Sequence, residues 1–118
     1  IKSDLVEVFQ KTADGKLSEV SLETDDRSAC TVMVVSEGYP EGYAKGKKIA
    51  GLENVEESII FHAGTKLQGN DIVTSGGRVM AFTSYGDNKK EALQKSYASI
   101  NKVCYDGIVY RKDIGFDL

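Results

Sequence analysis

The chain has 118 residues, is 41% hydrophobic, and carries 15 Lys and Arg against 18 Asp and Glu, for a net charge of -3. One hydrophobic core commonly organises about 100–150 residues, so this length indicates a single domain. The composition argues against a disordered chain, the negative balance argues against nucleic-acid binding, and no apolar run approaches the roughly 20 residues that span a bilayer.

The first residues and the cysteines bear on origin and compartment. The sequence begins Ile1-Lys2-Ser3 without an initiator Met, so we expect a processed chain or a piece of a longer protein. Cys30 and Cys104 lie far apart, each beside apolar residues, which predicts small buried side chains rather than a disulfide framework. No signal segment with a basic and then an apolar part opens the chain. A reducing cytoplasm is the expected compartment.

The first predicted element is a helix over residues 1–14, with Leu5, Val8 and Phe9 on one face and Asp14-Gly15 at its end. Because the pattern starts at the first residue with no cap before it, we expect this helix to continue from a preceding part of the protein. A β-branched run at residues 29–35 then predicts a buried strand. Turn formers dominate the next residues, which predict a loop.

The middle of the chain predicts strands joined by tight turns. In order, the predicted strands are residues 47–50 at a sheet edge, 58–63, 65–67, 72–74 and 78–83. Within residues 58–63 the alternation places Ile59 and Phe61 on one side and Ile60 and His62 on the other. Residues 65–74 are typical of a hairpin that turns at Gln68-Gly69-Asn70-Asp71.

The clearest helix follows Asn88, which has Glu91 three residues on, the spacing of a capping box. Its apolar positions repeat on one face, at Leu93, Tyr97, Ile100 and Cys104, so it is expected to pack on a sheet. Residues 108–110 predict a last strand. Strands joined by tight turns are antiparallel neighbours, so the expected fold class is α+β, a mainly antiparallel sheet with packed helices.

His62 is the only histidine of the sequence, and with two scattered cysteines it offers no multi-histidine metal site. It is either a structural histidine hydrogen-bonded at a sheet rim or a ligand contact. A Ser-His-Asp or Cys-His catalyst stays open, although no G-x-S-x-G motif is present. Gly64-Thr65-Lys66 lacks the spacing of a phosphate-binding P-loop. No acidic trio stands out as a site for magnesium.

Ser75-Gly76-Gly77-Arg78 has two interpretations. Adjacent glycines can expose backbone N–H groups to an anion, and a neighbouring arginine can supply a two-pronged contact to carboxylate or phosphate. Alternatively, the segment is a tight strand connection with a solvated arginine. Tyr39 and Tyr43 on the predicted loop could likewise stack on a ligand or only fill a packing gap. Arg111-Lys112-Asp113 is typical of a surface ion-pair cluster.

Four segments occur in a familiar order. They are Glu37-Gly38-Tyr39-Pro40, Phe61-His62-Ala63-Gly64-Thr65-Lys66, Thr74-Ser75-Gly76-Gly77-Arg78-Val79 and Tyr110-Arg111-Lys112-Asp113-Ile114-Gly115. Together they resemble the C-terminal domain of phosphoribosylamine–glycine ligases, also called glycinamide ribonucleotide synthetases, which are ATP-grasp enzymes of purine biosynthesis. The opening Ile1-Lys2-Ser3-Asp4-Leu5 resembles the helix that follows the ATP-grasp core of that family.

The resemblance implies a reaction larger than this chain. The family joins glycine to 5-phosphoribosylamine through glycyl phosphate, using ATP and Mg²⁺ (or Mn²⁺). Its metal ligands and most of its ATP contacts lie upstream of the position matching Ile1. Residues 1-118 are therefore expected to form one C-terminal domain that binds no cofactor alone and has no ligase activity alone. Its implied partner is the rest of its own chain, on which this domain packs and walls one side of the active-site cleft.

The resemblance also implies a set of site residues. His62, Thr65 and Lys66 match the His-Ala-Gly-Thr-Lys segment of the family, and Gly76, Gly77 and Arg78 match its Gly-Gly-Arg. Arg78 with the neighbouring backbone amides is expected to bind phosphoribosylamine or to order the cleft wall. Lys66 is expected to be a supporting cation and His62 an orienting group.

Two positions depart from the family pattern, and two other functions compete with the ligase. Ser75 stands where Asn is usual, which weakens or removes an amide contact, and Phe116 stands where Trp is usual, which removes an indole donor. One alternative is a free-standing, non-catalytic ligand-binding or protein-interaction module. A biotinyl or lipoyl carrier ranks last, because Lys66 precedes the turn at residues 68–71 and does not sit at its tip.

Overall fold

Two antiparallel sheets and two α-helices form the part of the chain that the structure, a computed structural model, describes, residues 1–116. In chain order the elements are α1 (Leu5–Ala13), β1 (Ser28–Ser36), β2 (Ile59–His62), β3 (Thr65–Gln68), β4 (Asp71–Thr74), β5 (Arg78–Gly86), α2 (Lys89–Ile100) and β6 (Ile108–Val109). Short 3-10 turns lie at Leu17–Glu19 and Leu52–Asn54. The predicted α+β class is confirmed.

The larger sheet has the strand order β2-β5-β1-β6, and every neighbouring pair is antiparallel. The β3 and β4 strands form a separate two-stranded hairpin, as the turn signal at residues 68–71 predicts. The central pair, β1 and β5, comes from two nine-residue strands. This pair therefore carries the core on one face and leaves the other face open.

The core lies between the sheet and α2. Val32 and Val34 of β1, Met80 and Phe82 of β5 and Ile100 of α2 are all at most 1% exposed. The helix begins where predicted, because the Asn88 side chain accepts a hydrogen bond from the Glu91 amide at 3.0 Å. The expected extension of its apolar face to Cys104 is wrong, since the helix ends at Ile100.

Hydroxyl groups fill the part of this interface where α2 comes closest to β5. Ser58 Oγ lies 2.6 Å from Ser84 Oγ and donates to Ser99 Oγ at 2.7 Å, while Ser96 Oγ lies 3.1 Å from Ser84 Oγ. Ser96 also hydrogen-bonds the Cys30 carbonyl at 3.0 Å. Among the described residues, every buried side-chain polar atom has a partner. The small side chains allow close packing, and their hydrogen bonds offset the cost of burying them.

The first helix differs from its prediction. It covers Leu5–Ala13 rather than residues 1–14, and it has a cap, because Asp4 Oδ1 accepts hydrogen bonds from the Val6 amide at 2.8 Å and the Glu7 amide at 3.4 Å. The residues before it are not helical, and the Lys2 amide donates to the Glu23 carbonyl. An aspartate three residues inside the expected helix is a strong N-terminal signal, and it overrides the apolar spacing.

Two further expectations are corrected. Residues 47–50 form isolated bridges, Lys48 to Val73 and Ala50 to Cys104, instead of an edge strand. Cys104 is exposed and Cys30 is half-buried, so neither thiol is the small buried group that its neighbours suggested. Cys30 and Cys104 are both free thiols.

The N-terminal helix stands apart from the sheet. It packs chiefly against the turn Leu17–Glu19, and Val6 and Phe9 are 73% and 65% exposed. The Cα radius of gyration is 17.4 Å, against about 13.5 Å for a compact domain of this length. No helix within residues 1–116 has the length and apolar character that a membrane crossing requires.

The buried Tyr105 predicts a loss of stability at alkaline pH. Its hydroxyl donates to the Val35 carbonyl at 2.8 Å, and burial raises its pKa to about 12 from the usual 10.0. Since the raised pKa belongs to the folded state, the stabilisation is complete below pH 10 and is lost as the pH rises towards 12. We expect the free energy of unfolding, measured by urea titration, to fall across this range.

Tyr105→Phe separates this effect from the titration of lysines. The variant is expected to lose about 1 kcal/mol at pH 7 with its hydrogen bond, and to show a shallower alkaline decline. Parallel pH profiles for the two proteins would contradict the assignment.

Candidate functional site

A β-bulge sets the direction of Arg78. Val34 pairs with Met80, but the next residue, Val35, pairs with Arg78, so Val79 is an extra residue on β5. Met80 and Val34 face α2. Arg78 therefore lies with Val35 on the sheet face that α2 does not cover.

Arg78 lies between two clefts on this open face. The first has a volume of about 540 Å³ and is also lined by Tyr39, Tyr43, Gly64 and Gly77. The second, of about 350 Å³, is mainly apolar and extends towards β6 and the residues that follow it. Met33, Tyr39 and Arg78 line both clefts, so these side chains form the wall between them.

The Arg78 guanidinium has no carboxylate partner among residues 1–116, unlike the other two arginines. Arg27 pairs with Asp25 at 2.8 Å, and Arg111 pairs with Asp113 through two nitrogens at 2.9 Å each. The second pair confirms the predicted surface cluster, and the hydrogen bond from Arg111 lowers the pKa of Asp113. An exposed, uncompensated guanidinium in a cleft is suited to a two-pronged contact with a phosphate or carboxylate.

Glycines allow the backbone of residues 75–78 to pass close to the backbone of Gly64. The Gly64 carbonyl accepts hydrogen bonds from the Ser75 amide at 2.7 Å and the Gly76 amide at 3.2 Å, while the Gly64 amide donates to the Arg78 carbonyl at 2.8 Å. A Cβ on Gly64 would lie 2.6 Å from Gly76 Cα. The Ser75 and Gly76 amides are therefore engaged within the fold, and the expectation that amides beside Arg78 present themselves to an anion is wrong for these two.

The loop that follows β1 carries Tyr39 and Tyr43 to the same cleft as Arg78. Tyr39 and Tyr43 make an edge-to-face contact, with ring centroids 6.0 Å apart, and both line the larger cleft. Lys45 Nζ lies 5.7 Å from the Tyr43 ring centroid on the same loop. The two tyrosines, for which sequence left ligand stacking and packing equally open, thus lie at the candidate site.

The side chains of His62, Thr65 and Lys66 lie outside the two clefts. His62 pairs with Met80, so the strand alternation places it on the α2 side of the sheet, opposite to Arg78. Its Nδ1 lies 3.0 Å from Thr65 Oγ1, which matches the structural interpretation of a histidine at a sheet rim. Lys66 is exposed on β3 opposite Val73. Gly64, which lies between His62 and Thr65 in the chain, lines the larger cleft and donates its amide to the Arg78 carbonyl.

Met33 lines both clefts, although the sequence alone places it only within a buried strand. Its neighbours Val32 and Val34 both point into the core, so alternation along β1 requires Met33 to point to the open face. This pattern was readable in the sequence once the buried face was known.

Metal binding finds no support in the residues present. Within residues 1–116, no three His, Cys, Asp or Glu side chains come close enough to hold an ion. The donor set that Mg²⁺ prefers, several oxygen ligands around one point, does not converge near Arg78.

Comparison with known proteins identifies the class. The family described as "Phosphoribosylglycinamide synthetase, C domain" matches residues 29–117, and the chain belongs to this family. A phosphoribosylamine–glycine ligase from Caldanaerobacter subterraneus is 46% identical over 114 residues, which cover 97% of this chain and 27% of the relative. A bifunctional purine biosynthetic protein from Dictyostelium discoideum is 41% identical over 98% of this chain and 15% of its own length.

A solved structure agrees with the fold. The crystal structure of a phosphoribosylamine–glycine ligase from Thermotoga maritima superposes with a TM-score of 0.72 at 33% sequence identity, over 91% of this chain and 27% of that protein. The chain thus spans about a quarter or less of the relatives described here. The resemblance seen in the four sequence segments is confirmed at the level of the family.

Gly64→Ala tests the backbone crossing. A methyl group there would overlap Gly76 and the Arg78 carbonyl, both rigid backbone, so we expect the free energy of unfolding of this chain to fall by about 2 kcal/mol. Gly42→Ala is the matched control, because a Cβ at Gly42 meets nothing within 4 Å, and it is expected to cost less than about 0.5 kcal/mol. Urea denaturation measures both, and equal effects would refute the crossing as the reason for glycine.

Proposed function

We propose that this chain is the C-terminal domain of a phosphoribosylamine–glycine ligase, which joins glycine to 5-phosphoribosylamine at the expense of ATP in purine biosynthesis. The observation that carries the proposal is the uncompensated Arg78 guanidinium in an aromatic cleft, on the open face of a domain of this family. The site offers a cation and the faces of two tyrosine rings. Its role is to bind substrate.

The chemistry explains why a substrate-binding wall is useful. The glycine carboxylate is a poor electrophile, so ATP first phosphorylates it to glycyl phosphate. The amine of phosphoribosylamine then attacks the carbonyl carbon, an amide bond forms, and inorganic phosphate leaves. A phosphate group on the sugar is remote from the reacting amine, and holding it supplies orientation without taking part in bond making.

Arg78 is the group we assign to the phosphate of phosphoribosylamine. A guanidinium matches two phosphate oxygens at once, and such charge-assisted bonds are about twice as strong as neutral ones. Gly77 lines the larger cleft beside Arg78. Gly76 holds this segment in place through its hydrogen bond to the Gly64 carbonyl. His62, Thr65 and Lys66 remain candidates for supporting contacts on a neighbouring surface of the domain.

ATP and Mg²⁺ (or Mn²⁺) are requirements of the proposed full-length enzyme. No residue of this chain is assigned to either, and we place their contacts in the remaining three quarters of such an enzyme. We place the protein in the cytoplasm, which agrees with its free thiols and with the purine pathway.

The partner we propose for this domain is the rest of the longer ligase chain. Residues 1–28 precede the region that the family covers, and α1 exposes Val6 and Phe9. The open sheet face exposes Ile59 and Phe61, at 47% and 54%. Exposed apolar surface on both features favours burial against a second body.

Arg78→Ala in the full-length ligase tests the site. Loss of a charge-assisted phosphate contact is expected to reduce kcat/KM for phosphoribosylamine by about 30-fold, corresponding to about 2 kcal/mol. The KM for glycine should not change. Lys112→Ala is the control, a cation removed outside both clefts. An unchanged kcat/KM for Arg78→Ala would refute the role, and turnover by the 118-residue chain alone would refute the proposed division of the enzyme.

Phe61→Ser tests the docking face. In this chain alone the variant should unfold at nearly the same urea concentration, because Phe61 is already half exposed. In the full-length ligase it should destabilise by about 1 kcal/mol or more, because the ring is buried there. Leu67→Ser, on the hairpin and 75% exposed, is the matched control and should be neutral in both proteins. Equal effects of Phe61→Ser in both would rule out this face as the interface.

A further inference from the structure

We infer that Tyr39 is a positioning residue that fixes the direction of Arg78, and that Gly77 is glycine in order to seat the Tyr39 ring. The inference rests on the proposed function, since its readout is the binding of phosphoribosylamine. It assigns a task to the loop between β1 and β2, to which neither the family match nor the sequence motifs give one.

The Tyr39 ring lies directly against the Gly77 backbone. A Cβ on Gly77 would overlap the Tyr39 ring, meeting its Cδ2, Cε2 and Cγ atoms. Gly77 is not among the glycines with a left-handed backbone, so conformational freedom does not account for it. The space that a side chain would take is filled by the ring instead. Glycine at this position is explained by the close approach of Tyr39.

Ser36 joins the loop to the segment before Arg78. Its amide donates to the Gly77 carbonyl at 2.8 Å, its hydroxyl donates to the Gly76 carbonyl at 3.2 Å, and its carbonyl accepts from the Tyr39 amide at 3.1 Å. Ser36 is only 4% exposed, so water competes little for these bonds. The loop carrying Tyr39 and the segment carrying Arg78 are therefore held as one unit.

The Tyr39 ring and the Arg78 side chain border the same space. Tyr39, Met33 and Arg78 together form the wall between the two clefts. Tyr43 supports Tyr39 through their edge-to-face contact. Arginine has many rotamers, and a neighbouring ring that excludes some of them lowers the entropy cost of binding a phosphate. Tyr39 thus acts through Arg78 and needs no contact with substrate.

The backbone of Arg78 is fixed independently of the ring. The bulge at Val79 directs the side chain to the open face, and the Gly64 amide holds the Arg78 carbonyl. Removing Tyr39 should therefore leave the strand in place and loosen the side chain alone. This predicts a defect in binding one substrate rather than a loss of folding.

The test uses the full-length ligase with Tyr39→Ala, Gly77→Ala, both together, and Tyr39→Phe. Phosphoribosylamine is formed in the assay from ribose 5-phosphate and ammonia. Each single alanine variant is expected to raise the KM for phosphoribosylamine about tenfold, less than Arg78→Ala, with kcat and the KM for glycine unchanged. Tyr39→Phe keeps the ring and should rescue the KM to within about twofold.

The double variant distinguishes a seat from two independent defects. With the ring absent, the three atoms that would lie nearest to the new methyl group at position 77 are gone, so Gly77→Ala should add little to Tyr39→Ala. Additive effects would overturn the seat. A Tyr39→Ala enzyme with unchanged KM, or with equal increases for glycine and phosphoribosylamine, would overturn the positioning role.

Arg78→Ala, measured in the same assay, distinguishes a failure of the positioning role from a failure of the substrate site. If it raises the KM and Tyr39→Ala does not, the positioning role is wrong and the substrate site stands. If Arg78→Ala leaves the KM unchanged, the substrate site fails and the positioning role falls with it. Melting temperatures of all variants show whether a changed KM follows from unfolding.

Discussion

The register between β1 and β5 is the constraint on which the core and the candidate site both depend. For most of its length the pairing is regular, and it directs Val32, Val34, Met80 and Phe82 towards α2. A single shift in the register after Val34 then turns the Arg78 side chain to the opposite face of the sheet. Without that shift Arg78 would point to the helix side, where an uncompensated guanidinium would be buried at high cost.

The two faces of this strand pair therefore have different roles, one in stability and the other in binding. The face towards α2 is filled by apolar side chains and hydrogen-bonded serines, and it stabilises the domain. The open face carries a cation, two tyrosines and exposed apolar residues. A domain arranged in this way presents a rigid surface to a second body and contributes a few contacts to a cleft between them. Its mild net negative charge agrees with a site that relies on one well-placed cation.

Much of the fold could be predicted from sequence, because its signals are local. The β-branched run of β1, the hairpin turn at residues 68–71 and the Asn88 cap each act within a few residues. The start of α1 was missed because apolar spacing was given more weight than Asp4. The bridges at residues 47–50 were missed because they depend on partners, Val73 and Cys104, that only the tertiary structure brings near.

The site was predictable only in part, for a similar reason. Arg78 and Gly77 were identified, and the structure keeps them together with the two loop tyrosines. His62 and Lys66 belong to the same set of sequence motifs as Arg78, yet the strand alternation places His62 on the other sheet face and Lys66 lies on the hairpin, so neither side chain lines a cleft. Which amides are engaged could not be foreseen, because the bonds from Ser75 and Gly76 to Gly64 join segments about ten residues apart across a crossing.

The serine hydroxyls beneath α2 have a mechanical consequence. Aliphatic side chains hold a helix on a sheet without strong preference for its position along its axis, since one methyl group can replace another in contact. Hydrogen bonds are directional, so Ser96 holds α2 at one position against Ser84 and the Cys30 carbonyl, and Ser99 holds it against Ser58. Ser58 links the segment before β2 to the same point. These bonds oppose sliding of α2 along the sheet and of the segment before β2. The open face therefore keeps its shape when a second body packs against it.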